Sequence, residues 1–332
     1  MMRMPAESAP HERTAMCWPA RKTLYGELLP AAEAAHALVA RTLASFEPVT
    51  MIADVGAGER AAEACGDGVD VVELPIDDSW FRDSGPIFVT DGDARLALDW
   101  RFNAWGGKFQ PAANDDAIAG RYAALLGDGV RTIPVVLEGG AIAVDGAGTL
   151  VTTQQCLLHP NRNPSLDRVE IEAVLRAELG VSTIVWLPFG LALDDDTDGH
   201  VDNVAAFARP GVLVMQGCAD ESEDDWLRTN VNVRSARGAI DALGEPIEVV
   251  EIPVLPFTEV GGERVAVPYL NYYVANGVVA VPVCGHPADD EMMAIIGEHY
   301  PDREIVGLDV GAVLAYGGGG IHCITQQVPR VP

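Results

Sequence analysis

Five amphipathic stretches punctuate the chain: Leu28 to Phe46, Asn114 to Leu126, Leu166 to Leu179, Asp225 to Leu243 and Asp289 to Tyr300. In each, apolar residues return roughly every three to four positions, which predicts a helix with one buried face. Between them lie short apolar runs that end in turn or polar residues: VVELP at Val71, IPVVLEGG at Ile133, IVWLPFG at Ile184, VVEIPVLPF at Val249 and EIVGLDV at Glu304. These predict buried strands about fifty to sixty-five residues apart. Second strands are expected at PIFVTDG, AIAVDG, VLVMQG and VVAVPVCG. A unit of strands plus one helix, repeated five times, favours a radially symmetric α/β assembly, because each unit alone leaves sheet edges and an apolar face uncovered. An ordinary doubly wound sheet produces the same alternation, so periodicity leaves the two architectures level. No Ser/Pro-rich linker or charge block divides the sequence, and one domain over residues 1–332 is expected.

Charge narrows the partners. Against 22 Lys and Arg stand 49 Asp and Glu, a formal charge of −27 that repels nucleic-acid phosphates and anionic lipid. The same field attracts small cations, although an acidic surface also serves plain solubility. No stretch reaches the ~18 apolar residues of a membrane span, and the first residues, MMRMPAESAPHERTAMCWP, lack the apolar core of a secretion signal. A cytoplasmic protein is expected. The six cysteines (Cys17, Cys65, Cys156, Cys218, Cys284 and Cys323) are scattered without a CxxC pair, so they are read as reduced thiols.

Four segments hold chemistry. In AYGGGGIHCITQQVP, Cys323 follows four glycines and His322. Glycine backbone permits close approach to a ligand, and a thiolate is a strong nucleophile that needs no metal. The plainer alternative is a buried structural cysteine. In DDDTDGHVDNV, five carboxylates surround His200, and Asp202 lies two residues on, where an extended segment would face both side chains one way. An imidazole there suits proton transfer and the carboxylates suit a cation; a solvated acidic turn competes, while EF-hand spacing is missing. In DDSWFRDSGPIFV, a turn would expose Asp83, with Trp80 nearby to line a cationic group, unless Arg82 and Asp83 form only a local ion pair. In LEGG, Glu138 ends an apolar strand, where a carboxylate is costly unless paired or working. Cys156 and His159 in QQCLLHPNRNP have CxxH spacing but no second ligand pair, and GAGERAA at Gly56 is only a fragment of a dinucleotide fingerprint.

Taken in order, PAESAPHERTAMCWPAR, DDSWFRDSGPIFV, FNAWGGKF, LEGGAIAVDGAGTLVTTQQCLLHPNRNP, DDDTDGHVDNVAAFARPG, YLNYYVANGVVAVP and GGGGIHCITQQVP resemble the agmatine deiminase family, related to bacterial peptidyl-arginine deiminases within the guanidine-modifying (pentein) superfamily. The resemblance runs nearly end to end. It implies a five-bladed α/β propeller of ββαβ units, which would decide the architecture. It also implies that Cys323 is the nucleophile, His200 the general acid/base, Glu138 the carboxylate that orients the histidine, and Asp83 and Asp202 the grip on the guanidinium. Trp80 would line the substrate channel and Asp196 would meet the amine of agmatine, with Asp194, Asp195 and Asp198 adding a negative entrance. The implied reaction is hydrolysis of a small cationic guanidine through an amidino-cysteine, with no metal or cofactor. Rivals are a deiminase of peptidyl-arginine or free arginine, a cysteine hydrolase of amides, and a non-catalytic pentein-fold binding protein. Gly320 for the family's common Asn, Ser8 and Ala15 for frequent tryptophans, and His159 for Asn bear on the pocket edges. The sequence leaves the oligomeric state open, a homo-oligomer included.

Overall fold

The computed structural model describes residues 2–332. All five expected helices form, with shifted ends. The helix Leu29–Ala44 starts on a proline in its first turn, where a missing N–H does no harm. Arg168–Leu179 starts at a capping box made by Asp167 and Glu170 and stops at Gly180, whose φ of +67° suits glycine. Expected from Asn114, the second of these helices begins only at Ile118, because Asn114 is occupied with Asp77. Asp224–Arg237 ends well before Leu243; beyond Gly238 the chain turns back, and Ile240 bridges to Pro246.

The strands form an α/β fold of five mixed sheets built to one plan. In each, an antiparallel pair is followed by a helical crossover to a parallel third strand: Ile87–Thr90, Arg95–Arg101 and Gly129–Val136; Ile142–Val144, Thr149–Thr153 and Thr183–Leu187; Ala205–Arg209, Val212–Gln216 and Glu248–Ile252; Tyr273–Ala275, Val278–Val283 and Glu304–Asp309. The fifth takes its antiparallel partner from the other end of the chain, Thr325–Pro329 against His11–Cys17, then continues in parallel through Val49–Ala53 and Val69–Glu73. Sequence periodicity did not mark the strand at His11 or the separate hairpin Phe257–Val260 and Glu263–Ala266. Both alternate too weakly. The middle strands Thr149–Thr153, Val212–Gln216 and Val278–Val283 are buried at every residue, as expected for strands covered on both faces. Among the described residues, no helix is long and apolar enough to cross a membrane.

The plan has one consequence for chemistry. The segment leading into the first strand of each antiparallel pair must turn sharply, and there each sheet sets down a polar side chain: Asp83 ahead of Ile87, Glu138 ahead of Ile142, His200 and Asp202 ahead of Ala205, Asn271 ahead of Tyr273, and Cys323 ahead of Thr325. The short turn Gly139–Ala141 packs against both Phe81–Ser84 and Val201–Asn203.

Candidate active site

A pocket opens on this cluster, and its wall includes Trp80, Asp83, Trp105, Phe109, Asp196 and Cys323. The glycine run shapes it. A Cβ on Gly319 would stand 2.6 Å from the Trp80 ring and 3.0 Å from the Cys323 sulfur, so the nucleophile candidate and the aromatic wall can be this close only across glycine. Trp105 holds a left-handed backbone at φ +51°. Such strain is kept where the surroundings over-determine it: the indole Nε1 donates to Asp83 Oδ2 at 2.9 Å, and the ring packs edge-on against Phe102 and Phe109.

Gly140 lies beneath the pocket. A Cβ there would come within 2.6 Å of His200 Nδ1 and 2.8 Å of one carboxylate oxygen each of Asp83 and Asp202, so these three groups converge because position 140 has no side chain. Asp83 is buried, not exposed at a turn, and its neighbour Arg82 turns away to Gln327 and Glu7. His200 and Asp202 meet across the 3₁₀ turn Val201–Asn203 rather than along an extended strand. Burial pushes the Asp83 carboxyl up, His200 opposes, and the charges of Asp202 and Glu138 add to the rise. Burial would lower His200, but Asp83, Cys156 and Asp202 outweigh it and hold the imidazole well above its ordinary value.

The Cys323 thiol is pushed well above its ordinary value by burial and by the charges of Asp202 and Asp83. Asn271 grips it: Nδ2 reaches Sγ at 3.2 Å, while the Cys323 backbone N–H donates to Asn271 Oδ1 at 3.3 Å. Asp202 Oδ2 lies 3.5 Å from the sulfur, and Oδ1 has no hydrogen-bond partner. Behind Asp202 stands His322, with Nδ1 2.9 Å from Asp202 Oδ2 and Nε2 2.7 Å from Glu7 Oε2. Burial and Arg82 would lower His322, but Glu7 and Asp202 raise it. Burial works against ionised Asp202, yet the hydrogen bond and charge of His322 hold its pKa below the ordinary carboxylate value. Burial likewise opposes Glu7, which His322 and Arg82 bring down to about 2.

The acidic segment divides its labour. Asp194 is a buried staple that accepts from the backbone N–H of Thr197 and His200 and from Asn203. Asp198, at φ +61°, pairs with Arg162 and Lys108. Asp195 and Asp196 stay exposed, so the entrance is less negative than the run of aspartates suggests. Arg162, fully buried, joins Glu138 Oε1 at 2.6 Å to Asp198 and the Thr197 carbonyl, tying the site to this loop. Cys156 does not pair with His159, which sits half-exposed near Asp198; its sulfur lies instead with Glu138 and His200.

All seven residues singled out in the sequence therefore meet around one pocket and its floor. Five contributing residues were missed. Asn271 was discoverable by laying the five units over one another, since each puts a polar residue at that place; Trp105, Arg162 and the His322–Glu7 pair carry no local signal beyond their presence in the motifs. The arrangement can grip a planar cation between two carboxylates, present a thiol to it and exchange a proton at His200.

A family model described as Porphyromonas-type peptidyl-arginine deiminase matches residues 3–329. The chain is 42% identical to an agmatine deiminase of Pseudomonas aeruginosa and 41% identical to that of Stutzerimonas stutzeri, covering 98% of this chain and 95% of each relative. A solved structure of the agmatine deiminase of Enterococcus faecalis superposes with a TM-score of 0.94 at 30% identity, over 99% of this chain and 96% of the other.

Proposed function

The chain belongs to the Porphyromonas-type peptidyl-arginine deiminase family, and on that premise we propose that it is a cysteine-dependent hydrolase that converts agmatine and water to N-carbamoylputrescine and ammonia. What carries the reading is the convergence of Asp83, Asp202 and His200 at Gly140, beside the thiol of Cys323.

A guanidinium is a poor electrophile because its charge is delocalised. Asp83 and Asp202 fix the plane of the cation, and its arrival supplies the positive charge that the buried thiol lacks, so Cys323 gives up its proton to solvent only with ligand in place. The thiolate attacks the central carbon and the C–S bond forms. His200, already protonated, gives its proton to the departing nitrogen, the C–N bond breaks and ammonia leaves an amidino-thioether. Neutral His200 then takes a proton from water, whose oxygen attacks the same carbon; the C–S bond breaks and the ureido product is released. Glu138, held by Arg162, lies beside His200 and orients it through its charge. Trp80 lines the channel, and Asp196 at the mouth receives the primary ammonium.

In the same reading the five sheets are the blades of a propeller within one domain spanning residues 1–332, with the strands that follow the site residues innermost. Its six unpaired cysteines suit the reducing cytoplasm.

The test is a panel of agmatine, free arginine and a peptidyl-arginine, followed by ureido product and ammonia, with mass spectrometry of quenched enzyme. Agmatine should be the best substrate and an amidino adduct should sit on Cys323. An adduct on another cysteine, or arginine as the better substrate, would overturn the reading.

A further inference from the structure

Cys156 touches neither the substrate nor the reacting atoms in that reaction, yet it is fully buried directly beside it. The short helix Gln154–Leu157 places it there, with Thr153 capping the turn by accepting from the Cys156 N–H. Its sulfur, one nitrogen of His200 and one carboxylate oxygen of Glu138 all lie within 4.8 Å of one another, and all three residues are buried. A second observation points the same way: Glu138 Oε2 and His200 Nε2 are buried with no hydrogen-bond partner, while His200 Nδ1 faces Asp83 Oδ2 at 3.8 Å. Buried polar atoms are almost always satisfied, and thiolate sulfur, imidazole nitrogen and carboxylate oxygen are each zinc ligands, three of which leave a fourth tetrahedral position open.

We propose that Glu138, Cys156 and His200 bind a thiophilic divalent cation, zinc above all, and that the bound ion inhibits the enzyme. Zinc bonds of about 2.0–2.3 Å place tetrahedral ligand atoms roughly 3.3–3.7 Å apart, so the widest pair in the present arrangement closes by about one ångström when the ion binds. The ion displaces the thiol proton of Cys156 and the proton carried by the His200 nitrogen that it binds, and both leave to solvent. Arg162, paired through Glu138 Oε1, leaves Oε2 for the metal. A hard cation such as magnesium prefers all-oxygen sites and is not taken.

The inhibition rests on the role of His200 in the proposed reaction; binding of the ion does not, so the two are measured separately. Cobalt(II), titrated into the full-length protein, reports a thiolate ligand by its ligand-to-metal charge-transfer band. That band is expected in the wild-type protein and in Cys323→Ala, and absent in Cys156→Ala. In activity assays, zinc should inhibit the wild type, and Cys156→Ala should raise the half-inhibitory concentration at least tenfold while retaining turnover. Loss of the band in Cys323→Ala, absence of the band altogether, or unchanged zinc inhibition in Cys156→Ala would each overturn the site. If Cys156→Ala fails to fold, as judged by circular dichroism, Cys156→Ser takes its place, and the Cys323→Ala arm decides by itself whether the nucleophile is the ligand.

Discussion

Asp83 and Asp202 occupy equivalent places in two of the five units, each just ahead of the first strand of its sheet, each 4% exposed, and each reaching the space above Gly140. They nevertheless titrate in opposite directions. Asp83 accepts from two neutral donors, the Gly140 N–H at 2.9 Å and the Trp105 indole, and its carboxyl is raised by burial and by neighbouring charge. Asp202 is buried as deeply but rests on His322, which is itself charged between Asp202 and Glu7, and its carboxyl is lowered. Burial alone does not set the charge of a buried carboxylate; the group directly behind it does. In the proposed reaction Asp202 is the standing anion that draws the cation in, and Asp83 and Cys323 acquire their charges as the guanidinium arrives.

The largest effects should come from removing either charge. Asp83→Asn and Asp202→Asn each turn an acceptor into a group that sets N–H against guanidinium N–H. Breaking a buried charge pair costs about 3–5 kcal/mol, which corresponds to roughly 10²- to 10⁴-fold in kcat/KM. Near wild-type efficiency in either variant would dismantle the grip. Stability separates the two. Asp83, raised above its ordinary 3.8, makes the native state bind more protons than the unfolded chain in the window above that value, so wild-type stability falls there as pH rises. Asp83→Asn should therefore gain on the wild type as pH climbs from about 4. Asp202, lowered below 3.8, adds stability that is complete above the unfolded value and is lost as pH falls through the native one. The deficit of Asp202→Asn should be full above about pH 4 and shrink below it. Thermal midpoints across this range would break the comparison if both variants showed the same pH trend.

A smaller effect is expected from the residue that makes the difference. His322→Gln keeps a hydrogen-bond donor under Asp202 but removes the charge, worth about 1.5–3 kcal/mol for a bond to a charged group, or roughly 10- to 150-fold in kcat/KM. With its cation gone, Asp202 should bind protons more readily, so the acid limb of the kcat/KM profile should move to higher pH. Glu7→Gln, one step further back, should move it the same way by less. Lost activity with an unmoved acid limb would reduce His322 to a packing role.

His322 and Glu7 also mark what the sequence did and did not make legible. Cys323, His200, Glu138, Asp83 and Asp202 stood out because each sits in a run of turn residues or at the end of an apolar strand, and the structure brings them together. Their surroundings did not stand out. Arg82 is adjacent to Asp83 in the chain yet pairs with Glu7, 75 residues away in sequence, and Asp202 meets His322 across 120 residues; separations of that size leave no local pattern. The acidic run misled for the same reason, since the cations that neutralise Asp198, Arg162 and Lys108, come from two other segments. Helix ends failed at Asn114, where a tertiary hydrogen bond to Asp77 overrode propensity. Five-fold repetition was visible in outline, and the missed Asn271 shows that it held more information than its hydrophobic pattern.

The smallest effect tests a third carboxylate that has neither kind of support. Asp196 is exposed at the pocket mouth, with Gly318 close enough that a Cβ there would lie 2.7 Å from its Oδ2. No cation is fixed behind it as His322 is behind Asp202; Lys108 reaches only the backbone carbonyls of Asp195 and Asp196 and the side chain of Asp198. An exposed ion pair with the ammonium of agmatine is worth about 0.2–1 kcal/mol, so Asp196→Asn should raise KM for agmatine by roughly two- to five-fold with kcat unchanged, because the contact is remote from the reacting carbon and equal in ground and transition states. Activity on arginine should change less, since its carboxylate is not attracted to Asp196 in the first place. Exposed charges are screened within about 8–10 Å at physiological salt, so the difference between variant and wild type should shrink as salt is added, whereas the losses in Asp83→Asn and Asp202→Asn, protected by burial, should persist. A salt-insensitive loss, or an equal loss on both substrates, would mean that Asp196 holds the loop rather than the amine.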